Sequence, residues 1–546
     1  MEFCFEITNN LEKFFFDKNT PVEPLTSASF FKNEIFSFQL TAACDVNHWV
    51  QEYPIRFDID SELEPYAEIS AVDYVPVYYT GAENQPIGDY IANGPALFPD
   101  VLRPLDHRCG TLQNHQMRAF WFSIDVKGET SGQFPFAIKV VRTDTGETVG
   151  ELSLVLDIID CDLPPLPIIN TGWFHCDSLA VVHHTDMMSE EHFEIIEKYV
   201  KVYAKFGHNM ILTPIFTPPL DTDIGHERPT MQLVDVTLEN RKYSFDFSKL
   251  ERFITMCQRN GIRYFEMAHL FTQWGAKNAP KIMATVDGEY KRIFGWETEA
   301  LGDDYKTFLT AFLPELIAFL RQKGLESSVY FHISDEPTEE HLEHYGAIKK
   351  FLTPLLDGFA TMDALSNYAF YEKGFVDLPV VATDHAKPFL EKKVHPMFLY
   401  YCTSQNYRMA NRFIAMPASR NRVLGLQLYK TKASGFLQWG FNFYFTRHAR
   451  AVIDPFRNTG SFQGGDSFIV YPMDKNGKPT LSTRLFVFHD GMQDLRALYL
   501  LESKIGRESV LALFPEVKDL ADYPRDSKYY VTLRERINQK IKESLA

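Results

Sequence analysis

Two adjacent carboxylates, Asp335 and Glu336, are the side chains best suited to chemistry in this chain of 546 residues. They follow an aromatic and β-branched run at 329–333, which is typical of a buried strand. Because Pro337 cannot continue a strand ladder and disfavours the helical conformation for the residue before it, we expect the strand to stop here and Glu336 to be extended. Asp335 or Thr338 could merely cap a following helix, but capping needs only one such residue. The pair therefore indicates general acid–base chemistry.

The elements that must position these acids are strands that alternate with helical segments from residue 163 onward. Such alternation predicts a parallel sheet. The predicted strands are 169–176, 209–213, 262–268, 329–333, 358–362, 379–383, 397–402 and 435–439. Eight strands over roughly 275 residues fit a (β/α)8 barrel, in which catalytic residues lie at the carboxyl ends of the strands. Asp335 and Glu336 occupy that position on the fourth strand.

The rest of the chain divides around this barrel. Residues 1–162 contain short strands separated by turns, which predict an N-terminal β-sandwich. Three prolines at 164, 165 and 167 form a stiff linker. We therefore predict an α/β protein with a β-sandwich over 1–162, a TIM-like (β/α)8 catalytic barrel over 163–454, and a mainly helical extension over 455–546 that packs on the barrel.

A barrel with acids at a strand end suggests glycoside hydrolysis, for which two schemes remain open. The ordinary retaining scheme needs a second carboxylate about 5 Å away, and Asp384, after the sixth strand, is the candidate partner of Glu336. In the substrate-assisted scheme the 2-acetamido oxygen of the sugar attacks the anomeric carbon. Asp335 would then steady the acetamido group, and Glu336 would donate the proton.

The segment His332-Ile333-Ser334-Asp335-Glu336-Pro337 resembles the HxxDEP motif of glycoside hydrolase family 123 and of the group once catalogued as domain-of-unknown-function family 4091. The resemblance continues, in the same order along the chain, at 98–105, 422–430, 435–444, 465–472, 482–484 and 490–494. It implies a β-sandwich fused to a (β/α)8 barrel. It also implies a retaining, substrate-assisted β-N-acetylgalactosaminidase without a metal, with Asp335 and Glu336 as the catalytic pair.

Several other side chains are candidates for binding the sugar. Trp439 could form a floor under a pyranose, because an aromatic face suits the C–H face of a sugar; the alternative is that it packs in the barrel core. Tyr400 and Tyr401 point to opposite sides of their strand, and we favour Tyr401 for the cavity. His332 is expected to support the site from behind. The remaining candidates are His269, Trp274, Asp384, Asn442 and Tyr444.

Composition limits the partners. The net charge of −17 argues against nucleic acid and anionic membrane surfaces, and no apolar run is long enough to span a bilayer. The seven cysteines form no CxxC pair, the histidines show no zinc spacing, and we predict neither a metal nor a cofactor. The N-terminus lacks a signal-peptide pattern, so a cytoplasmic location is expected. The expected partner is an oligosaccharide or glycoconjugate substrate, with a non-catalytic carbohydrate-binding protein as the alternative.

Overall fold

The computed structural model describes residues 3–17, 22–45, 52–82, 89–457 and 459–545. Met1, Glu2 and Ala546, the ends of the predicted first and last domains, lie outside the described residues. The strands, in chain order, are β1 Phe3–Thr8, β2 Ser27–Phe31, β3 Ile35–Cys44, β4 Glu52–Asp60, β5 Ala67–Val77, β6 Ala96–Pro104, β7 Cys109–Gln113, β8 Gln116–Asp125, β9 Gly132–Arg142, β10 Thr148–Ile159, β11 Ile169–Gly172, β12 Met210–Thr213, β13 Asp235–Glu239, β14 Lys242–Asp246, β15 Tyr264–Met267, β16 Ile282–Val286, β17 Glu289–Phe294, β18 Val329–His332, β19 Ala360–Leu365, β20 Leu378–Ala382, β21 Phe398–Tyr400, β22 Gly435–Gln438, β23 Tyr471–Met473 and β24 Pro479–Ser482.

The α-helices, in the same order, are α1 Cys176–Val182, α2 Glu190–Lys205, α3 Ser248–Arg259, α4 Asp303–Gln322, α5 Leu342–Leu356, α6 Ala369–Glu372, α7 Lys387–Glu391, α8 Ser419–Arg422, α9 Leu424–Thr431, α10 Thr483–Ile505, α11 Arg507–Leu511 and α12 Ser527–Leu545.

Eight parallel strands close into a barrel in the order β11-β12-β15-β18-β19-β20-β21-β22. The first and last strands pair directly, with Ile169 opposite Gly435, and this pairing closes the ring. Each predicted barrel strand is found within a few residues of its predicted place, and the predicted barrel is confirmed. The strands are short and almost wholly buried, which explains why they read in the sequence as brief apolar runs.

The N-terminal part forms two mainly antiparallel sheets, in the orders β1-β3-β8-β5-β6-β24-β23 and β2-β10-β9-β4-β7. Phe57 of the second sheet packs edge-on against Phe120 of the first, with ring centroids 4.8 Å apart. Strand β8 shows how the first sheet is used on both faces. Phe120 and Phe122 face the other sheet, whereas Trp121 packs on Phe486 of α10, with ring centroids 5.4 Å apart. The first sheet therefore lies between the second sheet and the barrel side of the protein.

Two features depend on contacts between distant parts of the chain. A four-stranded sheet, β14-β13-β16-β17, is built from the segments on either side of α3 and β15; sequence analysis did not predict it. It packs on α4 through Phe245 and Phe312, whose ring centroids lie 5.1 Å apart. The second feature is the pairing of β24 with β6 (Leu481 opposite Leu102), by which the last strands of the chain extend an N-terminal sheet.

Candidate active site

Asp335 and Glu336 line a cavity of about 600 Å³ at the carboxyl ends of the barrel strands. Strand β18 ends at His332, so the two acids lie on the short segment that follows it. Trp173 after β11, Tyr400 at the end of β21 and Trp439 after β22 line the same cavity. The volume lies within the range of roughly 300–1,000 Å³ that is usual for small-molecule sites.

The segment 333–337, here called the acid strap, is fixed by hydrogen bonds to both neighbouring strand ends. The Ser334 backbone N–H donates to Asp363 Oδ2 at 3.0 Å, and the Ser334 hydroxyl donates to the Thr272 carbonyl at 2.8 Å. The Trp274 backbone N–H donates to the Asp335 carbonyl at 2.9 Å. The strap is therefore held on two sides, as a catalytic group must be if its position is to stay fixed.

Glu336 adopts a left-handed backbone conformation, with φ = +45°. The expectation of an extended Glu336 before Pro337 is therefore wrong. Non-glycine residues are held in this region at a cost of about 1–3 kcal/mol when surrounding contacts determine the position. The contacts of the acid strap are of this kind, and the strained backbone directs the Glu336 side chain into the cavity.

Tyr400 contacts Glu336 directly: its hydroxyl donates to Glu336 Oε1 at 2.6 Å. The preference for Tyr401 over Tyr400 is thus corrected. Successive side chains of a strand face opposite ways, and Tyr401 is buried against Phe436, with ring centroids 4.9 Å apart. One carboxylate oxygen of Glu336 is engaged by Tyr400, which leaves Oε2 for proton exchange.

Asp335 is surrounded by other acids. Burial and then the charges of Glu336, Asp363 and Glu266 raise the pKa of Asp335 well above its usual range. Asp335 therefore keeps its proton to a higher pH than an isolated aspartic acid does. The chemistry that such an arrangement can perform is proton donation beside a second, charge-stabilising acid.

A buried array lies behind the acid strap. His332 Nε2 is 2.6 Å from Glu266 Oε1, and both side chains are fully buried. Burial disfavours the charged imidazole, but the neighbouring carboxylates Glu266 and Asp363 outweigh it and raise the pKa of His332. Burial raises the pKa of Asp363 to about 6. His332 therefore lies outside the cavity and supports the strap from behind.

His269, a candidate sugar ligand, also lies outside the cavity. Its ring stacks on His332, with centroids 4.2 Å apart, and packs edge-on against Trp173. Burial and then the charge of His332 hold the pKa of His269 well below its usual value. The expectation that His269 binds the sugar is corrected, because a fully buried ring in this stack cannot reach a substrate in the cavity.

Trp439 lies on the cavity wall, as expected for a sugar platform. Its indole N–H donates to Asp466 Oδ2 at 3.0 Å. Asp466 is fully buried, and burial raises its pKa to about 7. Asp466 comes from a loop far along the chain, so its contact with Trp439 could be found only in the folded protein.

Three further candidates do not face the cavity. Asn442 accepts from the His175 N–H at 2.9 Å and donates to the His175 carbonyl, and the Tyr444 hydroxyl donates to the Val470 carbonyl at 3.0 Å. Both side chains are fully buried, so their predicted contacts with sugar are corrected to structural ones. The Asp384 carboxylate accepts from Gln405 at 2.7 Å and lies 2.9 Å from the His385 ring. Asp384 is absent from the cavity wall, so a pairing with Glu336 across the cavity has no support in the geometry.

A second side of the cavity is formed by loops after β12, β15 and β22, and of its residues sequence analysis named Trp274 alone. Asp221, Arg447 and His448 lie there with Trp274. Asp221 Oδ2 accepts from the His448 backbone N–H at 2.8 Å, and burial raises the pKa of Asp221. These residues belong to no sequence motif. Their one sequence signal is the length of the loops that follow β12 and β22.

Within the described ranges, no group of three or more His, Cys, Asp or Glu side chains is arranged to hold a metal ion. In the same ranges, no helix has the length and apolar character needed to cross a bilayer.

The comparisons with known proteins agree with this geometry. The model of the glycoside hydrolase 123 catalytic domain matches residues 173–501, which include the acid strap, Tyr400 and Trp439. A family 123 glycoside hydrolase from Clostridium perfringens, which hydrolyses glycolipid glycans, has the same fold. The match has a TM-score of 0.73 at 14% identity and covers 100% of this chain and 98% of that one.

Other glycosidases match much less well. A family 39 glycoside hydrolase from Bacteroides cellulosilyticus aligns with a TM-score of 0.35 at 9% identity, over 87% of this chain and 82% of its own. A β-glucuronidase from Bacteroides uniformis aligns with a TM-score of 0.31 at 12% identity, over 88% of this chain and 49% of its own. No curated protein sequence matches significantly. Because the family model covers more than half of the chain, this protein belongs to glycoside hydrolase family 123.

Proposed function

We propose that this enzyme is a retaining glycosidase that removes a terminal β-linked N-acetylgalactosamine by using the substrate's own acetamido group as the nucleophile. The observation that carries the proposal is the adjacency of Asp335 and Glu336 on one fixed strap in the cavity. Neighbouring acids serve neighbouring positions of one sugar, whereas an ordinary retaining pair stands on opposite sides of the bond that is cleaved.

In the first step the acetamido carbonyl oxygen forms a bond to the anomeric carbon while the bond from that carbon to the leaving oxygen breaks. The Asp335 carboxyl accepts a hydrogen bond from the acetamido N–H, which favours its ionised form once substrate is bound. Glu336 then carries the proton and gives it to the leaving oxygen. The charge that develops on the acetamido group is stabilised by that carboxylate, and the product is a bicyclic oxazolinium-like intermediate.

In the second step water attacks the anomeric carbon and gives a proton to Glu336, and the bond to the acetamido oxygen breaks. Two displacements at one carbon leave its configuration unchanged, and Glu336 regains the proton it donated. Tyr400 holds Oε1 of Glu336 throughout, so the same oxygen, Oε2, can exchange the proton in both steps. Trp439 offers the aromatic surface for the sugar ring.

The activity test uses aryl β-glycosides with and without the 2-acetamido group. We expect turnover only of the acetamido sugar, with tight inhibition by a thiazoline that mimics the oxazoline. Asp335→Asn should lower kcat by about 10²–10⁴-fold, because the group that stabilises the developing charge loses its own charge. Glu336→Gln should lower activity less on an aryl leaving group, which departs readily, than on an oligosaccharide.

Asp384→Asn is the matched control, since Asp384 lies outside the cavity wall and should be dispensable. Equal turnover of aryl galactoside and no inhibition by the thiazoline would contradict the proposal. Loss of activity in Asp384→Asn would favour the ordinary two-carboxylate scheme. Sugar binding without turnover of any aryl glycoside would favour a non-catalytic carbohydrate-binding protein.

A further inference from the structure

One cationic side chain in the cavity, Arg447, takes part in no hydrogen bond or ion pair among the described residues. Arg447 lies on the loop after β22 and lines the cavity, and its side chain is exposed. Among the residues that the structure describes, its guanidinium has no hydrogen-bond or ion-pair partner. By contrast, Arg450 on the same loop lies outside the cavity wall and pairs with Asp223 at 2.5 Å.

The acids near Arg447 form their ion pairs with other residues. Asp221, the acid on this side of the cavity, accepts the backbone N–H of His448 at 2.8 Å. The His448 ring lies 3.3 Å from Asp223 and 4.0 Å from Asp221, so these two acids are served by His448 and Arg450. Among the described residues, Arg447 acts on Asp221 only through its charge and forms an ion pair with neither acid.

Trp274 lines the same cavity as Arg447, and its side chain is open to solvent. It is 40% exposed, which is unusual for tryptophan, and it lines the same cavity. Its ring stands edge-on to His448, with centroids 6.0 Å apart. Its φ is +60°, and its backbone N–H donates to Asp335, so a strained position presents the indole next to the acids.

The solvent exposure of the cavity side chains indicates which part of the substrate contacts Trp274 and Arg447. An enzyme that removes a terminal sugar encloses that sugar and leads the rest of the glycan toward solvent. Glu336, Tyr400 and Trp439 are half-buried or buried, whereas Trp274 and Arg447 are exposed. The exposed side of the cavity therefore faces the leaving glycan.

We propose that Trp274 and Arg447 form a subsite for an anionic sugar in the leaving glycan, one that carries a carboxylate or a sulfate group. The indole would stack on the pyranose, and the guanidinium would bind the anion through paired N–H groups, the geometry for which arginine is suited. This inference rests on the proposed glycosidase function and adds a class of substrate to it.

The test compares three oligosaccharides with the same terminal β-N-acetylgalactosamine on galactose: a neutral one, one with sialic acid on the galactose, and one with a sulfate ester there. The measured quantity is the ratio of kcat/KM for each anionic substrate to that for the neutral one, since this ratio cancels a general loss of activity or folding. We expect Arg447→Gln to lower the ratio about tenfold or more, through KM, as expected for one charge-assisted hydrogen bond. The ratio for wild type should also fall as salt is raised.

Arg450→Gln is the matched control and should keep the wild-type ratio. A ratio that is the same in wild type and Arg447→Gln, or that falls equally in Arg450→Gln, would overturn the subsite. The sialylated and sulfated substrates tell which anion is bound, and a fall for either supports the inference. Failure of wild type to cleave the neutral oligosaccharide and an aryl β-N-acetylgalactosaminide would instead overturn the proposed function, which separates the two failures.

Discussion

At the scale of single residues, the site is defined by which atoms of the two acids are already engaged. Glu336 has one oxygen bound by the Tyr400 hydroxyl, and the charges of four other acids act on Asp335. Neither environment follows from the Asp-Glu-Pro sequence itself. The chemistry of the pair is therefore set by neighbours that come from other strands.

Tyr400→Phe should lower kcat/KM about tenfold on the acetamido substrate, because Glu336 loses the hydrogen bond that holds its Oε1. Tyr401→Phe is the matched change one residue away. Its hydroxyl is buried without a hydrogen-bond partner among the described residues, so its removal should leave activity intact and the free energy of unfolding unchanged or slightly higher. Steady-state kinetics and urea denaturation of both variants check this. An activity loss confined to Tyr401→Phe would contradict the placement of the two rings.

Asp335→Asn should stabilise the folded protein at neutral pH while it removes activity. Because the pKa of Asp335 is raised in the folded state, chiefly by burial, the folded protein binds more protons than the unfolded chain above about pH 4. The free energy of unfolding of the wild type therefore falls as the pH rises from there to the folded-state pKa. Asparagine does not titrate, so the variant lacks this fall in the free energy of unfolding. Its stability advantage over the wild type should be present at pH 8 and absent below about pH 4.

Urea denaturation of wild type and Asp335→Asn at several pH values measures this effect. Asp384→Asn serves as the control, with no pH-dependent gain expected. A stability difference between Asp335→Asn and wild type that is the same at pH 3.5 and pH 8 would show that the charge of Asp335 is not its source.

At the scale of elements, the acid strap depends on the strand ends that flank it. Asp363 in β19 accepts from the Ser334 backbone N–H and from the Tyr345 hydroxyl of α5, and all three groups are buried. One carboxylate thus joins the strap, a neighbouring strand and the helix that follows the strap. This explains how a strained Glu336 backbone is held in place.

Asp363→Ala should lower the free energy of unfolding by about 2–4 kcal/mol, because it leaves two buried donors without an acceptor. Tyr345→Phe removes one donor and keeps the acceptor, so its cost should be about 0.5–1.5 kcal/mol. Chemical denaturation measures both. Equal costs for the two variants would mean that the bond from Ser334 does not contribute to holding the strap.

At the scale of the whole molecule, one sheet joins the N-terminal strands to the segment that follows the barrel. Strand β24 pairs with β6, and Arg484 at the start of α10 forms a fully buried ion pair with Asp100 of β6 at 2.9 Å. Arg484 also donates to the carbonyls of Gly465 and Phe468. The N-terminal sheet, the barrel's last loop and α10 therefore share a single charged junction.

Arg484→Met should lower the free energy of unfolding by about 3–5 kcal/mol, because it leaves Asp100 as a buried, uncompensated charge. Lys475→Met, which breaks the exposed pair with Asp106 on the same side of the molecule, is the control and should change stability little. Denaturant titration of the two variants is the measurement. A similar small effect for both would show that the junction does not join the two parts.

The sequence by itself determined the barrel and the position of its acids. Eight short apolar runs predicted β11, β12, β15 and β18–β22 within a few residues, and Asp335 and Glu336 were found from residue type and strand end alone. These features can be recognised locally, because a buried strand appears in the sequence as a short apolar run and the acids follow such a run directly. The small sheet of β13, β14, β16 and β17 could not be recognised in this way, because its pairing joins segments that are separated by a helix and a barrel strand.

Only the tertiary structure decided which side chains surround the acids. It replaced Tyr401 by Tyr400 and removed His269, Asn442, Tyr444 and Asp384 from the cavity. It brought Asp221 and Arg447 into the cavity wall and placed the buried Asp466 against Trp439. The left-handed backbone of Glu336 was also decided there, since contacts of the acid strap outweigh the local preference before proline. The physical reason is common to all of these: a cavity wall is assembled from loops distant in sequence, and no local pattern records which of their side chains turn inward.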